Sequence, residues 1–446
     1  MDSKEYDLHV LLFPWLAHGH ISPFLELAKK LTQRNFYIYF CSTPINLSSI
    51  KNQVSSETFP SIQLVELHLP SLPNLPPQRH TTKSLPLHLQ STLKTALDMA
   101  KPAFLTTLKP DLLIYDFIQP WAPELASQHN IPAINFLTMG AAASSYLIHK
   151  FSSSTAETEF PLPAIYYQEH EYNTMAQMIG SYSNNVLNKD RFFQSGDRSS
   201  DMILVKTFGE IEAKYIEYLS FIVGKEILPV GLLVQEATND DKHLKFVEWL
   251  DQKGKSSTVF VSFGTEYFMS REQMQEIAHG LELSEVNFIW VIRFPEGEEE
   301  TKLHEALPKG FLEKIGERGM VVDGWAPQMK ILAHPSIGGF VSHCGWSSVL
   351  EGMKLGVPII AMPMHIDQPL NARLVVELGA GVEVERDKCG NGKLASGEMA
   401  KVIKQVVVEK GEVRTRMKAI SENMRNKRDE EMNVVVEKLM RLCNNR

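Results

Sequence analysis

Two residues of the sequence combine the chemistry and the position expected of a general base and its partner. His20 follows the apolar run at 8–14, and Asp116 ends the apolar run at 111–116. Ligands of parallel sheets bind at the carboxyl ends of strands, so both side chains are candidates for a site. A histidine oriented by a carboxylate accelerates the deprotonation of a hydroxyl by about 10²–10⁴-fold. The pattern does not show that the two residues touch, and His18 competes with His20 for the role of base.

A second group of useful residues lies toward the C-terminus. The run at 338–343 is typical of a buried strand, and the turn at 344–348 leads from it into a helical pattern. The N–H groups and the dipole at the start of such a helix favour phosphate. His343 can add a hydrogen bond or a positive charge. Farther along, Glu351 suits the vicinal hydroxyls of a ribose, and Trp325 offers a flat face to a base, so the stretch predicts a nucleotide site.

Other nucleotide and metal motifs have little support in the sequence. The dinucleotide pattern G-x-G-x-x-G appears only at Gly379 and Gly381, with Val384 in place of the third glycine and with the helix preceding the strand. A nucleotide-sugar dehydrogenase or epimerase is therefore disfavoured. No cluster of histidine and cysteine has zinc spacing, and we expect no metal and no cofactor.

Composition limits the class of protein further. The chain has 446 residues, of which 43% are hydrophobic and 22% charged, with a formal net charge of -8 and scattered basic residues. These values are typical of a globular protein without a nucleic-acid surface. Four widely spaced cysteines do not indicate a disulfide framework. The N-terminus has no basic and apolar leader, and no apolar run is long enough for a membrane span, so we expect a cytoplasmic protein, with a monomer as the default.

Short apolar runs alternate with helical patterns along the whole chain, which predicts an α/β fold with parallel sheets. Ser270 and Gln273 form the pattern of a capping box at the start of one helix. A polar stretch at 235–247 interrupts the alternation and suggests a linker. We therefore predict two doubly wound domains that face a cleft, at 1–234 and 248–427, with a C-terminal helix at about 428–446 that packs back on the first domain.

The stretch at 325–368 resembles the signature box of plant family 1 UDP-sugar glycosyltransferases, which have the two-domain GT-B fold. It begins with W-A-P-Q, carries H-C-G-W in the middle and closes with D-Q. The similarity extends over nearly the whole chain and includes the Gly19-His20 turn. The resemblance implies that His20 is the base and Asp116 its partner, in a metal-independent, single-displacement transfer that inverts the anomeric centre.

The resemblance also implies a role for each position of the box. Trp325 would stack on uracil and the Ala326 backbone would bond its edge. The other residues that would hold the nucleotide are Gln328 and Glu351 at the ribose and His343, Ser347, Ser348 and Thr265 at the diphosphate. Those that would hold the sugar are Trp346, Asp367 and Gln368, the last resembling glucose users. Ser347 departs from the family pattern, because many members have the longer asparagine there.

The N-terminal half resembles one branch of this family in particular, whose members extend a sugar that is already attached to a triterpenoid, flavonoid or apocarotenoid. This implies a UDP-glucose donor and a small hydrophobic glycoside as acceptor, either a triterpenoid saponin or a flavonoid glycoside. The aromatic segment at 151–200, with Phe160, Tyr166 and Tyr167, is either part of the acceptor pocket or ordinary packing. Direct glycosylation of an aglycone and an inactive UDP-sugar-binding protein remain the alternatives.

Overall fold

The computed structural model describes residues 7–83, 85–100, 107–236, 244–265, 267–294, 303–386, 392–409, 411–427 and 429–444. Most of the predicted linker lies outside the described residues. The chain forms two compact units. Unit 1 comprises Met1–Pro161, Ala176–Leu233 and Lys427–Arg446, and unit 2 comprises Leu162–Met175 and Val234–Asn426.

The described strands are short and nearly all parallel. They are β1 (Leu8–Phe13), β2 (Phe36–Ser42), β3 (Ile62–Glu66), β4 (Leu112–Asp116), β5 (Ala133–Leu137), β6 (Tyr182–Ser183), β7 (Val186–Leu187), β8 (Met202–Val205), β9 (Glu226–Pro229), β10 (Thr258–Ser262), β11 (Asn287–Ile292), β12 (Gly319–Asp323), β13 (Ile337–Ser342), β14 (Ile359–Ala361) and β15 (Gly381–Glu383). The two-residue strands β6 and β7 form an antiparallel hairpin.

Helices alternate with these strands. They are α1 (His18–Thr32), α2 (Pro44–Ile50), α3 (Gln90–Met99), α4 (Trp121–Ser127), α5 (Ala141–Phe151), α6 (Glu169–Ile179), α7 (Asn188–Asp197), α8 (Gly209–Val223), α9 (Leu244–Asp251), α10 (Arg271–Ser284), α11 (Leu303–Ala306), α12 (Phe311–Ile315), α13 (Gln328–Leu332), α14 (Trp346–Leu355), α15 (Gln368–Glu377), α16 (Ser396–Val407), α17 (Glu412–Asn426) and α18 (Glu430–Asn444). Ser270 and Gln273 form the predicted capping box at α10. Within the described residues, no helix combines the length and apolarity that a membrane crossing needs.

Unit 1 contains a parallel sheet of seven strands in the order β3-β2-β1-β4-β5-β8-β9. Its strands are buried on both faces, which explains why they appear in the sequence as continuous apolar runs. In β1, Val10 and Leu12 face one apolar cluster and Leu11 and Phe13 face another. Helix α18 contributes to the first of these clusters, so the C-terminus of the chain packs on the sheet of unit 1.

Unit 2 contains a second parallel sheet, of six strands in the order β12-β11-β10-β13-β14-β15. Apolar clusters again cover both faces, with Val259 and Val261 on one side and Phe260 on the other. The two parallel sheets with helices on both faces confirm the predicted α/β class. Unit 2 also includes Leu162–Met175, which the sequence analysis assigned to the first domain. This segment contacts unit 2 through an ion pair between Glu171 and Arg373 in α15.

Strand order fixes where a ligand can bind in each unit. The direction of winding reverses between β1 and β4 in unit 1, and between β10 and β13 in unit 2. Ligands of doubly wound sheets bind at the carboxyl ends of the strands at these switch points. His20 and Asp116 lie at the first switch point, and Thr265 and His343 lie just beyond the strands of the second.

Candidate active site

The structure brings the predicted base and its partner into contact. His20 Nδ1 lies 2.8 Å from Asp116 Oδ2. Asp116 is fully buried, whereas 21% of the His20 side chain remains exposed. A carboxylate can only accept, so Nδ1 carries the proton and Nε2 is the basic nitrogen of the neutral ring. The pair can therefore remove a proton from a hydroxyl that approaches Nε2.

The carboxylate of Asp116 is held in place by the ends of two neighbouring strands. Oδ2 also accepts the backbone N–H of Trp15, at 3.2 Å. The backbone N–H of Asp116 donates to Gln119 Oε1, and the amide of Gln119 donates to the Pro14 carbonyl. These bonds join the segment after β1 to the segment after β4, so the carboxylate has little freedom to rotate.

Two further contacts orient the imidazole of His20. The Thr138 hydroxyl lies 3.2 Å from Nδ1, and the ring of Phe117 lies 5.3 Å from the imidazole centroid. The sequence analysis placed His20 in a turn, but it lies in the first turn of α1, which begins at His18. The competing candidate His18 is exposed, and the bond to Asp116 therefore favours His20 as the base.

In unit 2, the imidazole of His343 occupies a space that only glycine leaves open. A Cβ atom added at Gly264 or at Gly345 would lie 2.6 Å from His343 Nε2, far inside van der Waals contact. Gly264 belongs to the segment after β10, and its φ of +80° is also left-handed. Gly345 caps α14. The ring is thus enclosed by the two backbone segments that meet at the switch point, directly before the helix that we expect to bind phosphate.

Burial decides the charge of His343. Burial, and to a smaller extent the nearby His365, lowers the pKa of His343 from its ordinary value of 6.5 to about 3. The ring is therefore neutral at pH 7. Of the two roles considered for His343, the positive charge is corrected, because a neutral imidazole adds no net charge, and the hydrogen bond to phosphate stays a prediction.

Three residues assigned to the nucleotide form one hydrogen-bonded cluster. Gln328 Nε2 donates to Ser348 Oγ at 3.1 Å and to Glu351 Oε2 at 2.5 Å. This joins the start of α13 to the first turns of α14. Nearby in the chain, 58% of Trp325 is exposed, which is unusual for an indole and suits a stacking surface. The carbonyl of Ala326 accepts the backbone N–H of Gln328 at 2.9 Å.

The turn before α14 has an unusual backbone that the sequence analysis missed. Cys344 has a φ of +63°, which is rare for a residue with a Cβ. Its carbonyl accepts Asn371 Nδ2 at 3.0 Å, and the same nitrogen donates to Asp367 Oδ2 at 2.9 Å. Asn371 is almost fully buried. It connects the turn before α14 to Asp367, and no local motif in the sequence points to this role.

The residues assigned to the sugar differ in how much of each side chain is available. The indole of Trp346 is buried, with 4% exposed, so a contact from this residue would come from its backbone at the start of α14. Gln368 is also buried, and its Oε1 accepts the backbone N–H groups of Met364 and His365. Thr265 and Ser347 are partly exposed beside the switch point.

Three residues of the aromatic segment at 151–200, Phe160, Tyr166 and Tyr167, contact other parts of the protein. Phe160 is buried and contacts the rings of Tyr146, His149 and Tyr218. Tyr166 and Tyr167 instead belong to unit 2, where they contact Arg373 and the Ile366 carbonyl respectively.

A family model and several known proteins are similar to this chain over most of its length. The family model described as UDP-glucoronosyl and UDP-glucosyl transferase matches residues 103–422. A beta-D-glucosyl crocetin beta-1,6-glucosyltransferase of Gardenia jasminoides is 51% identical, over 97% of this chain and 98% of that protein. Mogroside IIIx synthase of Siraitia grosvenorii is 52% identical, over 98% of each chain. A flavanone 7-O-glucoside 2''-O-beta-L-rhamnosyltransferase of Citrus maxima is 50% identical, over 99% of each.

Solved structures share the fold over nearly the full length. Glycyrrhiza uralensis UGT73P12, complexed with glycyrrhetinic acid 3-O-monoglucuronide, superposes with a TM-score of 0.83 at 23% identity, covering 98% of this chain and 96% of that one. Medicago truncatula UGT71G1, complexed with UDP-glucose, superposes with a TM-score of 0.76 at 27% identity, covering 98% of each chain. The chain therefore has the GT-B fold and belongs to the UDP-glycosyltransferase family, as a plant family 1 enzyme.

Proposed function

We propose that this enzyme transfers glucose from UDP-glucose to a hydroxyl on the sugar of a small-molecule glycoside, with inversion, to form a β-glycosidic bond. The observation that carries the catalytic part of the proposal is the contact between His20 Nδ1 and Asp116 Oδ2. It supplies an oriented, partly exposed base, which an enzyme that deprotonates a sugar hydroxyl requires.

In the proposed reaction, the acceptor hydroxyl gives its proton to His20 Nε2 while its oxygen attacks the anomeric carbon of the donor. The bond from that carbon to the UDP oxygen breaks in the same step, and UDP leaves with the electron pair. Asp116 stabilises the imidazolium that forms. A single displacement at an α-linked donor gives a β product.

Unit 2 would hold the donor. The start of α14 and the N–H of His343 would stabilise the charge that develops on UDP. Glucose is supported by Gln368 and by the name of the Gardenia relative, which is a glucosyltransferase. The Citrus relative is named as a rhamnosyltransferase, so the choice of sugar varies among similar chains.

The acceptor class rests on similarity. The Gardenia and Citrus relatives are named for substrates that already carry glucose, a glucosyl crocetin and a flavanone 7-O-glucoside. On this basis we propose a triterpenoid saponin or a flavonoid glycoside as acceptor. We also propose a metal-independent, cytoplasmic monomer. Cytoplasmic residence is supported by the thiols of Cys41 and Cys344, which are buried and form no disulfide.

The proposal is tested by mass spectrometry of reactions that contain UDP-glucose and either bare aglycones or their monoglucosides. A gain of one hexose only on the monoglucosides supports sugar extension. A gain on the aglycones would replace the acceptor class by direct glycosylation. Binding of UDP-glucose without any transfer to either acceptor set would favour the alternative of an inactive UDP-sugar-binding protein.

A further inference from the structure

The loop at 363–368 carries Asp367 and Gln368, the residues that our proposed function places at the donor sugar. We infer that Tyr167 is a positioning residue for this loop: its hydroxyl fixes the Ile366 carbonyl and so determines how the loop meets the sugar. The inference rests on the proposed function, because it assumes that the loop contacts the donor.

The backbone of the loop is strained at one position. Ile366 has a φ of +57°, in the left-handed region. For a β-branched residue this conformation is an outlier, and it persists only where the surroundings hold it. Ile366 directly precedes Asp367, so a change in its backbone would move that residue and the start of α15.

Tyr167 supplies the contact that holds this position. Its hydroxyl donates to the Ile366 carbonyl at 2.7 Å. The rest of the loop is held elsewhere: Gln368 Oε1 accepts the N–H groups of Met364 and His365, at 3.0 and 3.1 Å, and Arg386 donates to the Pro363 carbonyl. The Tyr167 hydroxyl thus bonds the strained residue itself, whereas these other side chains bond its neighbours in the loop.

The segment that carries Tyr167 is firmly attached to the same helix that the loop enters. Arg373 in α15 donates to both carboxylate oxygens of Glu171, at 3.0 and 3.1 Å. The guanidinium also lies 5.1 Å from the ring centroid of Tyr166, and only 4% of Arg373 is exposed. Because the segment and the loop are fixed to one helix, the Tyr167 hydroxyl is a rigid support.

This arrangement predicts an effect on the sugar and not on the nucleotide. Of the residues that would hold UDP, Trp325, Gln328 and His343 precede α14 in the chain. The others near the diphosphate and ribose, such as Ser348 and Glu351, lie on α14 itself. Tyr167→Phe removes one hydroxyl and keeps the ring. We expect it to weaken UDP-glucose binding by about 3- to 10-fold, the range for one lost hydrogen bond, and to leave UDP binding within about twofold.

The experiment is titration calorimetry of the full chain with UDP and with UDP-glucose. Tyr166→Phe is the matched control, because its ring can still cover Arg373, and we expect both affinities to stay within about twofold. In turnover, Tyr167→Phe should raise KM for UDP-glucose and leave KM for the acceptor unchanged. Thermal unfolding checks that each variant is folded.

Ile366→Gly distinguishes positioning from a general structural role. Glycine adopts the left-handed conformation without strain, so in this background Tyr167→Phe should change UDP-glucose affinity by less than about twofold. An unchanged UDP-glucose affinity in Tyr167→Phe, equal losses for UDP and UDP-glucose, or no rescue by Ile366→Gly would each overturn the inference. If the wild type binds UDP but not UDP-glucose, the donor proposal itself fails, and this inference fails with it.

Discussion

His20 Nδ1 lies 2.8 Å from Asp116 Oδ2, although the two residues are 96 positions apart in the chain. They meet because β1 and β4 are neighbours in the sheet, with Phe13 paired to Tyr115. The connection from one strand to the other passes through β2 and β3, and the reversal of winding that follows brings both strand ends to one place. The contact between His20 and Asp116 is thus a product of topology and not of a local motif.

Asp116→Asn tests the role of the carboxylate. An amide side chain can accept the hydrogen bond from Nδ1–H only through its oxygen. It carries no negative charge, so it cannot stabilise an imidazolium as a carboxylate does. We expect kcat to fall by about 10²–10⁴-fold while UDP binding stays unchanged. Asp111→Asn is the matched control, because Asp111 is exposed and precedes the other end of β4. Equal activity in the two variants would contradict the assignment.

Gly345→Ala tests the space around His343. The added Cβ would lie 2.6 Å from His343 Nε2, so the ring must move. We expect UDP to bind about tenfold more weakly, which corresponds to about 1.4 kcal/mol. Gly397→Ala adds the same methyl group where nothing lies within 4 Å, and its UDP affinity should match the wild type. Titration calorimetry measures the UDP affinity of both variants. An unchanged affinity in Gly345→Ala would contradict the assignment of His343 to the donor site.

Gln368→His tests donor preference. Gln368 uses one oxygen to accept two backbone N–H groups of the loop, and an imidazole cannot accept both at the same place. We expect kcat/KM for UDP-glucose to fall by about tenfold or more, with UDP binding within about twofold. The measurement is donor kinetics at saturating acceptor. Unchanged kinetics for UDP-glucose would show that Gln368 does not determine the use of glucose.

The lowered pKa of His343 predicts a pH dependence of stability. Its pKa falls from an ordinary value of 6.5 to about 3, because burial disfavours the charged ring. As the pH drops below 6.5 the unfolded chain takes up this proton and the folded protein does not, so stability falls. Above 6.5 the effect vanishes. Between pH 7 and pH 5, the thermal unfolding midpoint of His343→Asn should therefore fall by less than that of the wild type.

The comparison of variant with wild type is needed because other groups act with the opposite sign. Burial raises the pKa of Glu383 and of Glu431 to about 7. The folded protein holds these protons where the unfolded chain has released them, so their contribution to stability is lost as the pH rises from 4.5 to 7. If the wild type and His343→Asn lose stability in parallel, His343 is not the group that titrates.

Much of the fold is readable from the sequence because its strands are buried on both faces. The apolar runs at 8–14, 111–116 and 338–343 coincide with β1, β4 and β13 in the structure. Strands β3 and β9 were not predicted. They are the two edge strands of their sheet, and β3 has exposed residues that interrupt its apolar pattern. Leu162–Met175 belongs to unit 2, where Glu171 forms an ion pair with the distant Arg373, and no local pattern encodes such a contact.

The candidate site was likewise predictable only in part. His20 and Asp116 were identified by their positions at strand ends, and their contact then follows from strand order. The supporting residues were not predicted. Asn371 acts by bonding the carbonyl of Cys344, and Tyr167 by bonding that of Ile366. Backbone carbonyls and left-handed φ values leave no signature in residue type, particularly where a cysteine or an isoleucine stands in place of glycine.

The most direct test of the central claim measures transfer and UDP-glucose binding on the same preparation of His20→Ala. The account predicts that the variant loses transfer by at least about 10²-fold, the contribution of a general base, and binds UDP-glucose as the wild type does. These results are expected because the base belongs to unit 1 and the residues assigned to the donor belong to unit 2. A variant that keeps near-wild-type turnover would contradict the assignment of His20 as the base.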